Sequence, residues 1–243
     1  MTLALIDGDI LVYRIGFTTE DVDEGIMKAR LRESINLILE AVQATEFKIY
    51  LTEENDPTQF RRRIYPEYKA HRLQPKPKHY RAIRAYLQEH YDAEVVYEIE
   101  ADDALGIHQS GGLFRHNDQT VIISIDKDLK QIPGNHYNFV KLEASFVTPE
   151  EGLRHFYTQL LTGDSSDNVK GVWKCGPVKA AKILEGATDE IDMFVRVHNE
   201  YQNDDEMKMN GRVLWIWKKP NDDWIHHYER LTNGELSKDS QDS

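Results

Sequence analysis

An α/β fold around a mostly parallel sheet is what this sequence predicts. Three observations carry that reading. Short, almost wholly apolar runs such as Leu3–Ile6 and Val121–Ile125 are present, a helical repeat lies between two such runs, and carboxylates stand directly after several of them. Runs this apolar suit strands buried on both faces rather than half-exposed ones. In parallel sheets of that kind, functional groups collect at the carboxyl ends of the strands.

Taken in order, Leu3-Ala4-Leu5-Ile6 is the first strand and ends in Asp7-Gly8-Asp9. Met27, Leu31, Ile35, Ile38, Leu39 and Val42 recur at helical spacing over 27–42, and Phe47–Leu51 is the second strand. Strand, helix, strand makes a βαβ unit. A basic stretch broken by Pro66, Pro75 and Pro77 follows, then a helix from Lys78 to Tyr91 and a third strand over Ala93–Tyr97. Glu100-Ala101-Asp102-Asp103 comes next. Acids favour the first turn of a helix, where free N–H groups and the dipole stabilise them. Three so close together also repel one another, and a divalent cation removes that conflict. Val121–Ile125 is a fourth strand ending in Asp126-Lys127-Asp128, and a strand pair is expected over 137–147.

Thr148-Pro149-Glu150-Glu151 is a helix start, with Thr as N-cap, Pro at the first position and Glu151 closing a capping box. A polar loop, Thr162–Gly171, carries Asp164 and Asp167. A tight turn through Val172–Pro177 and a short helix over Val178–Leu184 follow. Past Gly186 the chain is acidic and less patterned. Val213–Trp217 is expected to pack on the preceding domain, and the polar tail from about Asn233 is expected to fray. The expected organisation is a core over 1–155, a loop-and-helix region over 156–190 and a C-terminal extension over 191–243.

The chain has 243 residues, 40% of them hydrophobic, which suffices for one large domain or a domain with an appendage. No run of 18 apolar residues is present, so no membrane span is expected. The first residues lack a signal peptide's basic start and apolar stretch. Cys175 is the only cysteine, which excludes an internal disulfide and multi-cysteine zinc sites and fits a reducing cytoplasm. The net charge of −12 argues against a nucleic-acid partner, because phosphate binding relies on Lys and Arg. Its distribution argues the other way. Residues 61–89 hold nine basic side chains against two acidic ones, interleaved with Tyr65, Tyr68, Tyr80 and Tyr86. Such a block is either a solvated face or a grip on phosphates with rings for stacking.

Asp7, Glu100, Asp102, Asp103, Asp126, Asp128, Asp164 and Asp167 all fall at strand ends or in the one polar loop. Each alone reads as a cap or turn residue. Eight in one cleft require cations, and Mg2+ or Mn2+ prefer such oxygen ligands. Two of those ions suit phosphodiester hydrolysis. Other chemistries lack their marks: there is no phosphate-binding Gly-Lys-Ser/Thr loop and no dinucleotide fingerprint. Ser165 and Ser166 have no neighbouring His, and Trp215, Trp217 and Trp224 are read as core.

Three stretches resemble signatures of the 5′-nuclease superfamily of flap endonucleases and 5′→3′ exonucleases: Glu100-Ala101-Asp102-Asp103, Asp126-Lys127-Asp128-Leu129-Lys130-Gln131 and Thr162-Gly163-Asp164-Ser165-Ser166-Asp167-Asn168-Val169. Tyr65-Pro66-Glu67-Tyr68-Lys69-Ala70-His71-Arg72 is similar to that family's arch motif, and Gly171–Ala181 to its helix–three-turn–helix. The motifs run in family order; the family includes the 5′-nuclease domain of bacterial DNA polymerase I, and the short chain and the wording of its motifs are most similar to the phage-encoded members.

The resemblance implies a PIN-like core with a central, mostly parallel sheet, a helical arch over about 61–90 and a helix–three-turn–helix. It implies two Mg2+ or Mn2+ ions. Asp7, Glu100, Asp103 and Asp126 would form the tighter site with Asp102 beside them, and Asp128, Asp164 and Asp167 would hold the second ion or its waters. Lys69 and Arg72 would contact the scissile phosphate, and Tyr68 would stack on a base. Gly171, Lys174, Gly176 and Lys179 would meet the duplex backbone, with the hairpin carbonyls a candidate K+ site. The implied partner is DNA with 5′ flaps, nicks or frayed 5′ ends, with RNA–DNA hybrids left open, bound by a monomer in the cytoplasm, or the host's if phage-encoded. Two departures stand out. The family's acid after the second strand is replaced around Thr52-Glu53-Glu54, and Lys174 occupies a hairpin position that is usually Gly. The alternatives are a PIN-like endoribonuclease and a non-catalytic branched-DNA-binding module.

Overall fold

The apolar runs do form one sheet. A computed structural model describes residues 2–72, 74–111 and 119–239. Its strands are β1 (Thr2–Asp7), β2 (Glu46–Thr52), β3 (Glu94–Val96), β4 (Gln119–Ile123), β5 (Gly134–Asn138) and β6 (Glu143–Val147), ordered β3-β2-β1-β4-β5-β6. The first five are parallel; β6 returns antiparallel to β5 at the edge. The order reverses between β1 and β4, which is where doubly wound sheets open a crevice beyond their carboxyl ends.

Alternation along β1 explains the two-sided burial. Ala4 and Ile6 face a core formed with α1 (Gly8–Thr18), α2 (Glu24–Ala41) and α4 (Tyr80–Tyr91). Leu3 and Leu5 face α5 (Ala101–Gly111) and Ile216 on the other side. Helix α1 is an addition to the sequence reading, which placed only one helix between the first two strands. The chain reaches β2 through two helices, and a short helix, α3 (Phe60–Ile64), precedes α4.

Residues after β6 build a helical layer: α6 (Pro149–Thr162), α7 (Pro177–Ile183), α8 (Glu190–His198), α9 (Asp204–Leu214) and α10 (Trp224–Asp239). The predicted capping box opens α6: Thr148 accepts from the Glu151 N–H and Glu151 from the Thr148 N–H. The 155/156 boundary drawn from sequence falls inside this continuous helix. A two-stranded hairpin of β7 (Gly163–Asp164) and β8 (Val169–Lys170) follows. Trp215, Ile216 and Trp217 are buried as expected, and α10 continues past Asn233 to Asp239 rather than fraying there. Ser240–Ser243 lie outside the described residues. No described helix is long and apolar enough to cross a membrane.

Candidate active site

The switch point gathers the acids. Asp7, 2% exposed, ends β1 and caps α1: its carboxylate accepts the Ile10 N–H (3.0 Å) and the Ser124 hydroxyl (2.7 Å). Ser124 Oγ in turn accepts the Asp126 N–H (3.0 Å), and Asp126 Oδ1 accepts the Asp128 N–H (2.8 Å). One hydrogen-bonded chain therefore crosses from β1 to the segment after β4. Asp128 also receives Gln159 Nε2 from α6 (2.7 Å). Ser124 and Gln159 have no motif around them and were invisible in the sequence.

Asp164 sits in the β7–β8 hairpin, where a Cβ on Gly171 would lie 2.2 Å from Gly163 N. This close backbone approach is what Gly171 serves, and it fixes the loop that presents Asp164 and Asp167. Asp164 Oδ1 accepts the Ser166 N–H (2.7 Å) and hydroxyl (2.6 Å).

Electrostatics divide the acids into two groups that share Asp126. Burial pushes Asp7 up to about 7, with Asp9 and Asp126 adding to it. Burial also raises Asp102 well above the usual range, reinforced by Asp7, Asp126 and Glu100. Asp128 is pushed up to about 7 by burial and by Asp126, Asp164 and Asp167. Glu100 goes the other way: burial would raise it, but Lys69 and Arg61 pull it down to about 2.

Lys69 Nζ lies 2.8 Å from Glu100 Oε1 and 4.0 Å from Asp167 Oδ2; Arg72 Nη2 is 2.6 Å from Asp167 Oδ1. The first leg of the arch thus rests on the acids, with Lys69 in a left-handed conformation (φ 55°) and its N–H bonded to Asp167 O (3.1 Å).

Two expectations are corrected here. Tyr68 offers no face for stacking: it is 3% exposed, packs in the helical core and donates its hydroxyl to Glu100 Oε2 (2.8 Å). Asp103 does not face the other acids. Helix α5 turns it inward, fully buried, where Arg61 Nη2 (2.8 Å) and Nη1 (2.5 Å) grip its two oxygens. The N–H groups of Glu100 and Trp217 take its remaining lone pairs at 3.0 Å each. Arg61 and Arg84, counted in the basic block, are likewise buried in ion pairs, with Asp103 and Asp9. Tyr80 and Tyr86 are buried too.

The departures also resolve. Thr52 Oγ1 accepts the Ala101 N–H (2.9 Å) and so ties the end of β2 to the start of α5. Glu53 bonds the Asn55 N–H (3.2 Å), and Glu54 pairs with Lys76. The carboxylate beside Thr52 is Asp9, which the sequence reading passed over although it stands two residues after Asp7. Lys174 adopts φ 54°, so it takes up the left-handed conformation that glycine would favour. It is exposed with Trp173 (83%), Gly176 and Lys179; Lys179 Nζ lies 2.7 Å from Glu200.

The donor set is all oxygen. Among the described residues no three acidic, His or Cys side chains close directly round one ion. Mg2+ prefers oxygen donors and fills its remaining positions with water. The raised carboxyls register the same deficit of positive charge.

These carboxyls also make stability depend on pH. Carboxyls raised above their unfolded values stabilise the fold while protonated; that contribution is lost as pH rises through the folded value. In EDTA these carboxyls should therefore lower the melting temperature between pH 6.5 and 8.5, while the buried Lys218, pulled down to about 7 by burial, raises it over the same range, so their contribution is read as the difference in slope between wild type and a variant lacking one of them. Asp102→Asn should shift the slope toward rising stability with pH; an unchanged slope in that variant would refute this origin.

The model for the N-terminal resolvase-like domain of 5′-3′ exonucleases matches residues 2–158, well over half of the chain. The chain belongs to the 5′-3′ exonuclease family. It is 28% identical to the 5′-3′ exonuclease of Buchnera aphidicola subsp. Schizaphis graminum over 220 residues, covering 83% of this chain and 73% of that protein. It is 26% identical to the flap endonuclease Xni of Shewanella piezotolerans, covering 74% and 75%. The fold is similar to that of the bacteriophage T5 flap endonuclease, solved in complex with DNA and metal ions, at a TM-score of 0.65 and 17% identity over 88% of this chain and 89% of that one. This family member is accordingly a 5′ nuclease, a hydrolase of phosphodiester bonds.

Proposed function

We propose that this 5′-3′ exonuclease family member is structure-specific, cutting duplex DNA at 5′ ends and 5′ flaps with two divalent cations, Mg2+ or Mn2+. The observation that carries the reading is the convergence of Asp7, Glu100, Asp102 and Asp126 with Asp128, Asp164 and Asp167 at the switch point, under an arch whose Lys69 and Arg72 lie on the same acids. Asp7, Glu100, Asp102 and Asp126 would hold one ion, and Asp128, Asp164 and Asp167 the second or its waters. Asp102 takes the place first expected of Asp103. Bound there, the ions supply Lewis acidity and neutralise charge building on the phosphate.

Lys69 and Arg72, already within reach of the acids, meet the scissile phosphate from the arch side. Exposed Lys174, Gly176 and Lys179 contact the uncut duplex through its backbone, which positions without reading sequence. The carbonyls of the same hairpin are the proposed K+ site. The flap-endonuclease names of relatives and the DNA-bound T5 neighbour support a flap substrate. RNA-primer removal, action as a monomer and a cytoplasmic setting complete the proposal.

The test is a duplex with a labelled 5′ flap, incubated with Mg2+ or with EDTA, beside an all-RNA version. Cutting at the junction of the DNA only with Mg2+ is the expected result. Preferential cutting of the RNA version would favour a PIN-like ribonuclease. Tight binding without cutting in Mg2+ or Mn2+ would favour a non-catalytic module.

A further inference from the structure

The end of β2 contributes no carboxylate to the acid cluster: Thr52 is not an acid, its hydroxyl accepting the Ala101 N–H at the head of α5 and bonding Asp9, and Glu53 and Glu54 bond elsewhere. A carboxylate nevertheless stands there. Asp9, in the first turn of α1, accepts the Thr52 N–H on Oδ2 (3.1 Å) and Arg84 Nη1 on Oδ1 (3.0 Å). Arg84 is buried and also donates to Thr52 O (2.8 Å). Asp9 is held in this place because Asp7 caps the same helix, and it faces Asp7 and Glu100.

We infer that Asp9 is a further metal-site carboxylate, closing the β2 side of the site in place of an acid on β2 itself, with Arg84 as its resident counter-ion. The inference rests on the nuclease reading above. Stability alone gives no reason for this arrangement. Arg84 is buried and Asp9 half-buried; an ion pair withdrawn from water is on average no better than a well-packed apolar pair, and adding a carboxylate beside Asp7 and Glu100 increases repulsion. Arg84 already has a neutral acceptor in Thr52 O. A cation that shares Asp9 with Arg84 accounts for both the position and the cost. The competing explanation is a fastener: Arg84, on the rear leg of the arch, would tie α4 to α1 and nothing more.

The two differ in divalent-cation affinity. Mn2+ binding to the full chain without DNA, measured calorimetrically, compares the wild type with Asp9→Asn, Arg84→Gln and Asp126→Asn. Asp9→Asn should weaken Mn2+ binding at least about 10-fold, whatever fall in melting temperature in EDTA follows from leaving Arg84 without its counter-ion. Arg84→Gln should tighten it, because a competing cation is gone. Wild-type affinity in Asp9→Asn, alongside weakened binding in Asp126→Asn, overturns the role of Asp9 and leaves the nuclease reading standing. A common fall in melting temperature for Asp9→Asn and Arg84→Gln, without change in Mn2+ affinity, likewise overturns it and leaves Arg84 a fastener. If the wild type and Asp126→Asn bind Mn2+ equally weakly, the metal reading of the whole cluster falls, and Asp9 with it.

Discussion

Asp126→Ala is expected to lower 5′-flap cleavage by at least ~10³-fold while leaving duplex binding within a few-fold of wild type. Asp126 belongs to both acid groups: it faces Asp7 and Asp102 on one side and Asp128 on the other. Losing it weakens the hold on both proposed ions, and the several kcal/mol of charge stabilisation that such ions supply corresponds to that factor. Duplex binding should survive because the turn around Lys174, proposed above to meet the duplex, lies after α6, on a separate element. Stability should not suffer much either. The variant loses one hydrogen bond, the Asp128 N–H to Asp126 Oδ1, worth about 1 kcal/mol, and gains relief from like-charge repulsion. Asp126→Asn keeps an acceptor for that N–H and should be equally inactive. Single-turnover cleavage, gel-shift binding and thermal melting on both variants check this together. Retention of a tenth of wild-type cleavage would remove Asp126 from the chemistry, and parallel loss of cleavage, binding and melting temperature would mean a folding defect.

What the sequence could convey, and what it could not, follows from the range of the interactions involved. Strands and caps are local. The alternation of Leu3, Ala4, Leu5 and Ile6 and the Thr148–Glu151 capping box are complete within a few residues, and both are found where expected. The acid-rich ends were legible for the same reason. Which way each acid points was not, because successive residues on a helix diverge by about 100°. Asp102 and Asp103 are neighbours in sequence, yet one meets Asp7 and the other meets Arg61. Tyr68 shows the same limit: an aromatic among cations suits a stacking platform, and only the packing of Phe60, Tyr68 and Val169 into one cluster shows it to be core. Helices α8 and α9 went unread because the acidic surface residues of 186–214 masked Met193, Phe194, Val197 and Met207, whose partners lie on α6 and α10. Arg61 bonds Val213 O across 152 positions, and no local pattern announces such a contact.

Asp103→Ala, one residue along from Asp102, should do the opposite of an active-site change: it should cost about 3–5 kcal/mol of stability, the effect of stranding a buried charge by removing its partner. Arg61, 2% exposed, would keep its bonds to the carbonyls of Val213 (2.8 Å) and Trp215 (2.7 Å) but lose its bidentate counter-ion, leaving only Glu100 Oε2 at 3.7 Å. The N–H groups of Glu100 and Trp217 would lose their acceptor as well, and with them the link that docks the segment after α9 onto α5. For a chain of this length the fall in melting temperature is roughly 6–20 °C. Replacing both partners, Arg61→Met with Asp103→Leu, should recover only part of the loss, because the two N–H groups and two carbonyls stay unpaired in the double variant. Asp102→Asn provides the contrast: no loss of stability, and weaker binding of divalent cations. Urea unfolding and Mn2+ titration on the same four proteins separate the roles. A fully stable Asp103→Ala with weakened Mn2+ binding would return Asp103 to the metal site, since a residue whose four contacts are all structural cannot be removed without cost to the fold.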